Sequence, residues 1–367
     1  MVSELGNLST DVVIIGGGPA GSVAAKKCAE NGIRTVLLEE KRLPRRKVCS
    51  GMLLSKLVHI LIDKEFGPIP EKIYDNPKLL GYQWHTTEFG DELMNMPGIT
   101  NTWREKLDYW MNQRAKEAGA EIWEEALVKD VIQQPKGVTI KLNQAGEPKT
   151  IEAKFVIGAD GAASVTRKSI FPDLNVRLIG IYSECHPGVL DLDPRYFHIF
   201  GSARTKPTRD SFDVIHKKDC FVIETNGHKM SPKEAMIGAK KILADDWGFN
   251  PKSKPLWAEG CTVSFLRKDL LSGVFLPAKS NVLLVGGAAG LATGSERGEG
   301  EGINMALKSG ILAAESVIEA KDSSQEASPI YLIKLKPVIE ALNIINQNPI
   351  FYQSNWAERE KVLERIV

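Results

Sequence analysis

One stretch limits what this 367-residue chain can fold into more than any other. Gly16-Gly17-Gly18-Pro19-Ala20-Gly21 stands between an apolar, β-branched run and a segment of helical period. Residues 11–15, Asp-Val-Val-Ile-Ile, read as a buried strand. Residues 20–31 carry small and apolar side chains at helical spacing and stop at Asn31-Gly32. Residues 33–38 supply a second strand that ends at Glu39. The pattern G-x-G-x-x-G has a steric reason at each glycine. Gly16 turns the chain out of the strand, Gly18 lets a pyrophosphate approach the backbone, and Gly21 lets helix and strand pack closely. The helix N-terminus adds free N–H groups and partial positive charge for phosphates, which brings Pro19 and Ala20 into the candidate site. Glu39, with Glu40 beside it, is placed to accept the hydroxyls of an unphosphorylated ribose. The unit reads as a dinucleotide-binding βαβ and does not by itself choose between NAD and FAD.

Further strands of the same kind recur at 154–157 and 281–285, far apart in sequence. The first leads into Asp160-Gly161. The second opens onto the glycine-rich stretch Gly286 to Gly302 and a helix from Ile303 to about Ala320. A helix over about 104–118 closes at Gly119, and strands at 121–133, which contains Val128, and 137–143 follow it. Strand-like runs with turn chemistry fill 176–226, a helix spans about 232–247, and a polar linker covers 321–328. The expected architecture is α/β: a Rossmann-type dinucleotide-binding domain over 8–77, 104–174 and 279–320. A β-rich substrate domain over 78–103 and 175–278 is inserted into it, and 321–367 form a short C-terminal helical region.

A formal net charge of +1 gives no global field for nucleic acid, and the cluster Lys41, Arg42, Arg45, Arg46 and Lys47 is local. Five cysteines, none at metal-ligand spacing, argue against a disulfide framework and a structural metal. No apolar stretch approaches a membrane span and no signal peptide is recognised, so a cytoplasmic protein is expected, with peripheral membrane contact left open.

Four further segments resemble the FAD-dependent oxidoreductases that group geranylgeranyl reductases with the aromatic hydroxylases. Lys47-Val48-Cys49-Ser50-Gly51 is similar to the reductases' K-P-C-G-G segment, Arg104 to Asp108 to their R-x-x-(F/L)-D helix, and Ala159 to Arg167 to A-D-G-x-x-S-x-x-R. Val285 to Gly290, followed by Gly300-Glu301-Gly302-Ile303, resembles V-G-D-A-A-G…G-E-G-I. The resemblance implies FAD as cofactor and hydride transfer at flavin N5 to or from a carbon–carbon bond of a small organic or lipid-like substrate. It places Lys47, Val48, Cys49, Gly51, Arg104, Asp160, Gly161, Gly286, Gly287, Glu299, Gly300, Glu301, Gly302 and Ile303 at the flavin. NAD(P)H visiting transiently or a redox-protein partner is the implied electron donor. A flavin monooxygenase shares these motifs, and a flavin-binding partner without turnover is the reading from another class.

The chain departs from the family in two places. Gly287 stands where an aspartate would meet the ribityl chain, and the acid-bearing stretch Leu291 to Glu299 offers Glu296 or Glu299 as substitutes. The isoprenoid-site motif Y-x-W-x-F-P is replaced by Phe212-Asp213-Val214-Ile215-His216-Lys217. Cys49 and His216 are the candidate catalytic residues.

Overall fold

The computed structural model describes residues 8–75, 79–86, 90–96, 98–201, 211–227, 230–264, 267–291, 302–347 and 356–366. Strand β1 (Leu8–Ile15), helix α1 (Pro19–Glu30) and β2 (Thr35–Leu38) form the opening βαβ unit, with β1 and β2 parallel and Val12 to Ile15 fully enclosed. Then come β3 (Met52–Leu53) and α2 (Lys56–Phe66), a helix the sequence reading did not anticipate. Its N-cap Ser55 accepts a hydrogen bond from the Val58 N–H. Strands β4 (Gly81–Thr86), β5 (Gly90–Asn95) and β6 (Thr100–Asn101) precede α3 (Arg104–Glu117). The single strand expected over 121–133 is split into β7 (Glu121–Trp123) and β8 (Ala126–Gln134), because Glu125 takes a left-handed φ of 54° between them. β9 (Gly137–Gln144) and β10 (Glu147–Gly158) complete an antiparallel excursion. The first half of β10 pairs with β9, and its second half enters the parallel sheet between β1 and β17.

After α4 (Val165–Ile170) come β11 (Leu178–Pro187), β12 (Tyr196–Phe200), β13 (Phe212–His216), β14 (Cys220–Asn226), α5 (Pro232–Asp246) and β15 (Trp257–Ser264). α6 (Arg267–Leu271), β16 (Ala278–Lys279) and β17 (Val282–Leu284) lead back to the first sheet. That sheet has the order β16-β17-β10-β1-β2-β7, with β8 and β9 attached through β10. The second sheet, seven strands in the order β15-β11-β14-β13-β12-β4-β5, is assembled from 81–95 and 178–264. One of its faces packs on α5 through Phe212, Val214, Phe221, Ile223, Met236 and Leu243.

The polar linker expected over 321–328 is shorter than that. α7 (Gly302–Ser323) runs through Lys321, and only three residues separate it from α8 (Ala327–Gln347). Lys321 lies within the helix, and its Nζ pairs with buried Asp11 at 3.3 Å. Together with α9 (Trp356–Glu364), the C-terminal helices bury Tyr331, Leu335, Val338, Leu342 and Leu363 in the same core cluster as α1 and α7. Tyr331 Oη donates to the Leu284 carbonyl at 2.9 Å. Among the described residues no helix is long and apolar enough to cross a membrane.

A candidate cofactor and substrate cavity

A cavity of about 1470 Å³ lies between the two sheets. One wall is backbone. Gly16 turns with φ 105°, and a side chain there would meet the Ala159 carbonyl oxygen at 2.5 Å. A Cβ on Gly21 would stand 1.9 Å from the Gly16 carbonyl oxygen, and one on Gly310 2.4 Å from the Ala20 oxygen, so α1 touches both the strand and α7 through glycine. By contrast, a Cβ on Gly18 would have only an Arg45 guanidinium nitrogen at 3.9 Å, and at Gly161 and Gly302 it would meet nothing within 4 Å. Glycines at strand and helix starts that face open space form a cradle for a group that needs close backbone approach. The wall therefore fits a dinucleotide.

Of the residues expected at the site, Gly16, Gly18, Pro19, Ala20, Glu39, Glu40, Lys47, Val48, Cys49, Arg104, Val128, Asp160, Gly161, Gly286, Gly287, Gly302 and Ile303 line the cavity. Glu299, Gly300, Glu301 and Glu296 lie outside the described residues. Gly21 and Gly51 do not face the cavity. Gly21 sits behind it at the contact with Gly16, and Gly51, at φ 78°, is pressed against Thr102, whose N–H and hydroxyl donate to its carbonyl at 2.9 and 2.8 Å.

His216 is a correction. Successive side chains of a strand point to opposite faces. On β13 Asp213 lines the cavity and Ile215 packs beside it, so His216 falls on the α5 side with Phe212 and Val214. It is fully buried, and its Nε2 accepts the Leu190 N–H at 3.1 Å. Burial pushes its pKa down to about 4, as it does that of neighbouring His198. A neutral imidazole locked in this core has no path to a substrate.

Glu39, almost fully buried, holds the turn together. Its Oε2 accepts the Gly17 N–H at 3.0 Å and Arg45 Nε at 3.0 Å, and its Oε1 accepts the Lys41 N–H at 3.1 Å. Arg45 also reaches Asp108 at 3.0 Å. Arg104 clasps the same carboxylate from the other side, Nε to Oδ1 at 2.8 Å and Nη2 to Oδ2 at 2.9 Å. Burial alone would push Asp108 up, but the two guanidiniums hold its carboxyl below the usual range. Asn112, one turn further on, donates to Gly17 O at 2.8 Å and to Asp108 O at 2.7 Å. Asp108 and Asn112 were not among the expected site residues, although the i, i+4 spacing from Arg104 to Asp108 is a readable ion-pair signal.

Asp160 caps α4: it accepts Ser164 Oγ at 2.6 Å, and the Thr166 N–H and hydroxyl at 2.9 and 3.0 Å. Arg167 is buried, and its Nη1 donates to Ala288 O at 2.8 Å, tying this cap to the Gly286–Ala289 turn. At Gly287, which lines the cavity, a Cβ would sit 3.3 Å from the Ala162 nitrogen, a tight contact with the 161–162 backbone.

The opposite wall is the outer face of the seven-stranded sheet. Tyr82, Ile181, Phe197, Asp213, Glu224 and Cys261 project from it. Cys261 Sγ approaches the Val48 carbonyl at 3.9 Å, which seats β15 against the Cys49 loop. Lys217, 2% exposed at the β13–β14 turn, fastens the two halves together. Its Nζ donates to Ser50 O at 2.7 Å and Thr102 O at 2.9 Å, to Asn101 Oδ1, and sits 4.7 Å from the Trp103 ring centre. Burial pulls its pKa down to about 8.

With this geometry in view, the comparisons with known proteins agree. An FAD binding domain family matches residues 9–177. The chain is 28% identical to chloroplastic geranylgeranyl diphosphate reductase of Nicotiana tabacum, over 96% of this chain and 77% of that protein. The crystal structure of a geranylgeranyl bacteriochlorophyll reductase-like protein from Thermoplasma acidophilum superposes with a TM-score of 0.73, at 21% identity over 98% of this chain and 88% of that one. The flavin-dependent brominase Bmp2 shares the fold, with a TM-score of 0.69 at 18% identity over 98% and 93% of the two chains. The protein is an FAD-dependent oxidoreductase. Over nearly its whole length it is similar to the geranylgeranyl reductase-like proteins.

Proposed function

We propose that the cavity carries out hydride transfer between FAD and a carbon–carbon bond of a small organic or lipid-like substrate. The observation that carries this reading is the cavity's two-sided construction. A glycine-lined dinucleotide cradle faces, across one cavity, a sheet wall of aromatic, aliphatic and acidic side chains. In this reading 8–77, 104–174 and 279–320 hold the cofactor, 78–103 and 175–278 hold the substrate, and 321–367 brace the cofactor half. FAD, when bound, supplies the two-electron hydride chemistry at N5. The residues do the rest. The α1 N-terminus at Gly18 to Ala20 meets the pyrophosphate, Glu39 the adenosine ribose, and the α7 N-terminus at Gly302 and Ile303 offers partial positive charge to the flavin end. Arg104, neutralised by Asp108, lines the cavity together with Cys49. Tyr82, Ile181 and Phe197 exclude water.

The likeness to the plant reductase supports a polyprenyl substrate, and geranylgeranyl diphosphate is the probe to use. Purified protein is expected to show flavin absorbance and to release FAD on acid precipitation. Anaerobically reduced protein is expected to be reoxidised by the probe without oxygen. Bleaching by NADPH identifies a nicotinamide donor; without it, a redox protein is the donor. If reduced flavin reacts only with oxygen and the substrate gains an oxygen atom, the enzyme is a monooxygenase instead. A protein that takes up no flavin removes the reading altogether.

A further inference from the structure

Glu224 differs from the other acidic groups of the cavity. Glu39 is paired with Arg45, Asp160 caps α4, and Glu259 meets Arg46 Nη1 at 2.6 Å. Glu224 makes no ion pair among the described residues. Its one hydrogen bond there is from Ser183 Oγ to Oε2, at 3.0 Å, which leaves Oε1 to the cavity. The sheet register explains the placement. Glu259, Ser183, Glu224 and Asp213 are successive partners across β15, β11, β14 and β13, so one row of the wall carries three carboxyls and a hydroxyl. Burial pushes the Glu224 carboxyl above the usual carboxylate range, against the Ser183 hydrogen bond and the charges of Lys47 and Lys217 that favour its ionised form. Asp213 faces it from β13, and Cys261 lies beside it from β15.

We infer that Glu224 is the proton donor of the cavity, presenting a protonated Oε1 to the substrate opposite the Lys47–Cys49 loop. The inference rests on the reduction reading above. Saturating a carbon–carbon double bond takes up one hydride, which carries the electron pair, and one proton. The hydride and its electron pair would be supplied to one carbon by FAD held reduced in the glycine cradle, which would be left oxidised. Glu224 gives its O–H proton to the other carbon, is left as a carboxylate, and regains a proton from solvent.

The test is infrared titration of the FAD-loaded protein beside single-turnover kinetics with geranylgeranyl diphosphate. A protonated-carboxyl C=O band is expected to persist above the pH range in which ordinary carboxyls ionise, to be lost as pH rises further, and to be absent from Glu224→Gln. Ser183→Ala, which removes the bond favouring the carboxylate, is expected to move the band's midpoint upward. Glu224→Gln should bind FAD and accept electrons from dithionite as wild type does, yet reoxidise with the probe ~10²-fold or more slowly, in the range of a lost general acid. The wild-type rate should fall as pH rises through the same midpoint. A band that survives in Glu224→Gln, no band above the ordinary carboxylate range, or an unchanged single-turnover rate in the variant each overturns the inference. If wild type binds FAD and ignores the probe, the reduction reading fails and takes the donor role with it. The infrared band separates that failure from a misplaced proton.

Discussion

The cavity's two walls are built on different principles. The cofactor wall is backbone: its shape comes from glycines at turns and helix starts, and side chains enter mainly to brace those turns, as Glu39, Asp108 and Asn112 do. The sheet wall is made of side chains on regular strands, and what faces the cavity is decided by alternation and register. A backbone wall tolerates almost no added atoms and reads as a motif. A side-chain wall can be rewritten residue by residue without moving a strand, so substrate choice belongs there.

The largest expected effect comes from the far side of the sheet. His198 and His216 are buried with pKa values near 4, against 6.5 for an open chain. The folded state therefore holds fewer protons than the unfolded one across that interval. Stability present above pH 6.5 is lost as the pH falls toward 4, on the order of 3 kcal/mol for each histidine. Urea unfolding across this window should show the loss, and His216→Gln should remove about half of it. Equal midpoints at both ends would mean that the sheet's far side is not a dry core.

Next comes the contrast between the walls themselves. Gly21→Ala forces a methyl to 1.9 Å from the Gly16 oxygen and is expected to cost at or above the ~1–3 kcal/mol of ordinary overpacking, with flavin lost as well. Ile215→Val on the sheet side should cost only about 0.5–1.5 kcal/mol and leave flavin in place. Comparable losses in both would erase the distinction. Glu39→Ala follows, with FAD affinity lowered by ~1.5–3 kcal/mol, the range for a hydrogen bond to a charged group. Fluorescence titration of the apoprotein measures it, and an unchanged dissociation constant would take Glu39 out of the ribose site.

The smallest effect is expected at Gly287→Asp. The sequence suggests either a vacancy that an aspartate would fill or a neighbouring acid already in place. The structure adds that a side chain would press on the Ala162 nitrogen at 3.3 Å. The expected change is weaker FAD binding by ~1 kcal/mol or less, net of any new hydrogen bond. Tighter binding would show that the 161–162 turn yields.

What the sequence made legible follows the same division. The β1-α1-β2 unit lies within three residues of its expected bounds because each glycine there answers a local steric demand. The side to which His216 points was not legible, since it depends on α5 covering one face of the sheet, a contact between segments far apart in the chain. Glu224 left a faint signal, a lone acid in the apolar run Cys-Phe-Val-Ile-Glu. Its meaning needed the register with Ser183. Helix α2 was legible in principle, since Ser55 caps it and Leu57, Val58, Leu61 and Ile62 follow at helical spacing.

Lys217 has a consequence for watching this molecule move. Its amine is sealed between the halves, yet with a pKa near 8 a fair share of it is nucleophilic under mildly basic conditions. An acylating reagent in excess can reach it only when the sheet lifts from Ser50 and Thr102. The rate at which that one peptide gains mass is then a stopwatch for the opening of the cavity, and it runs whether or not a substrate is known.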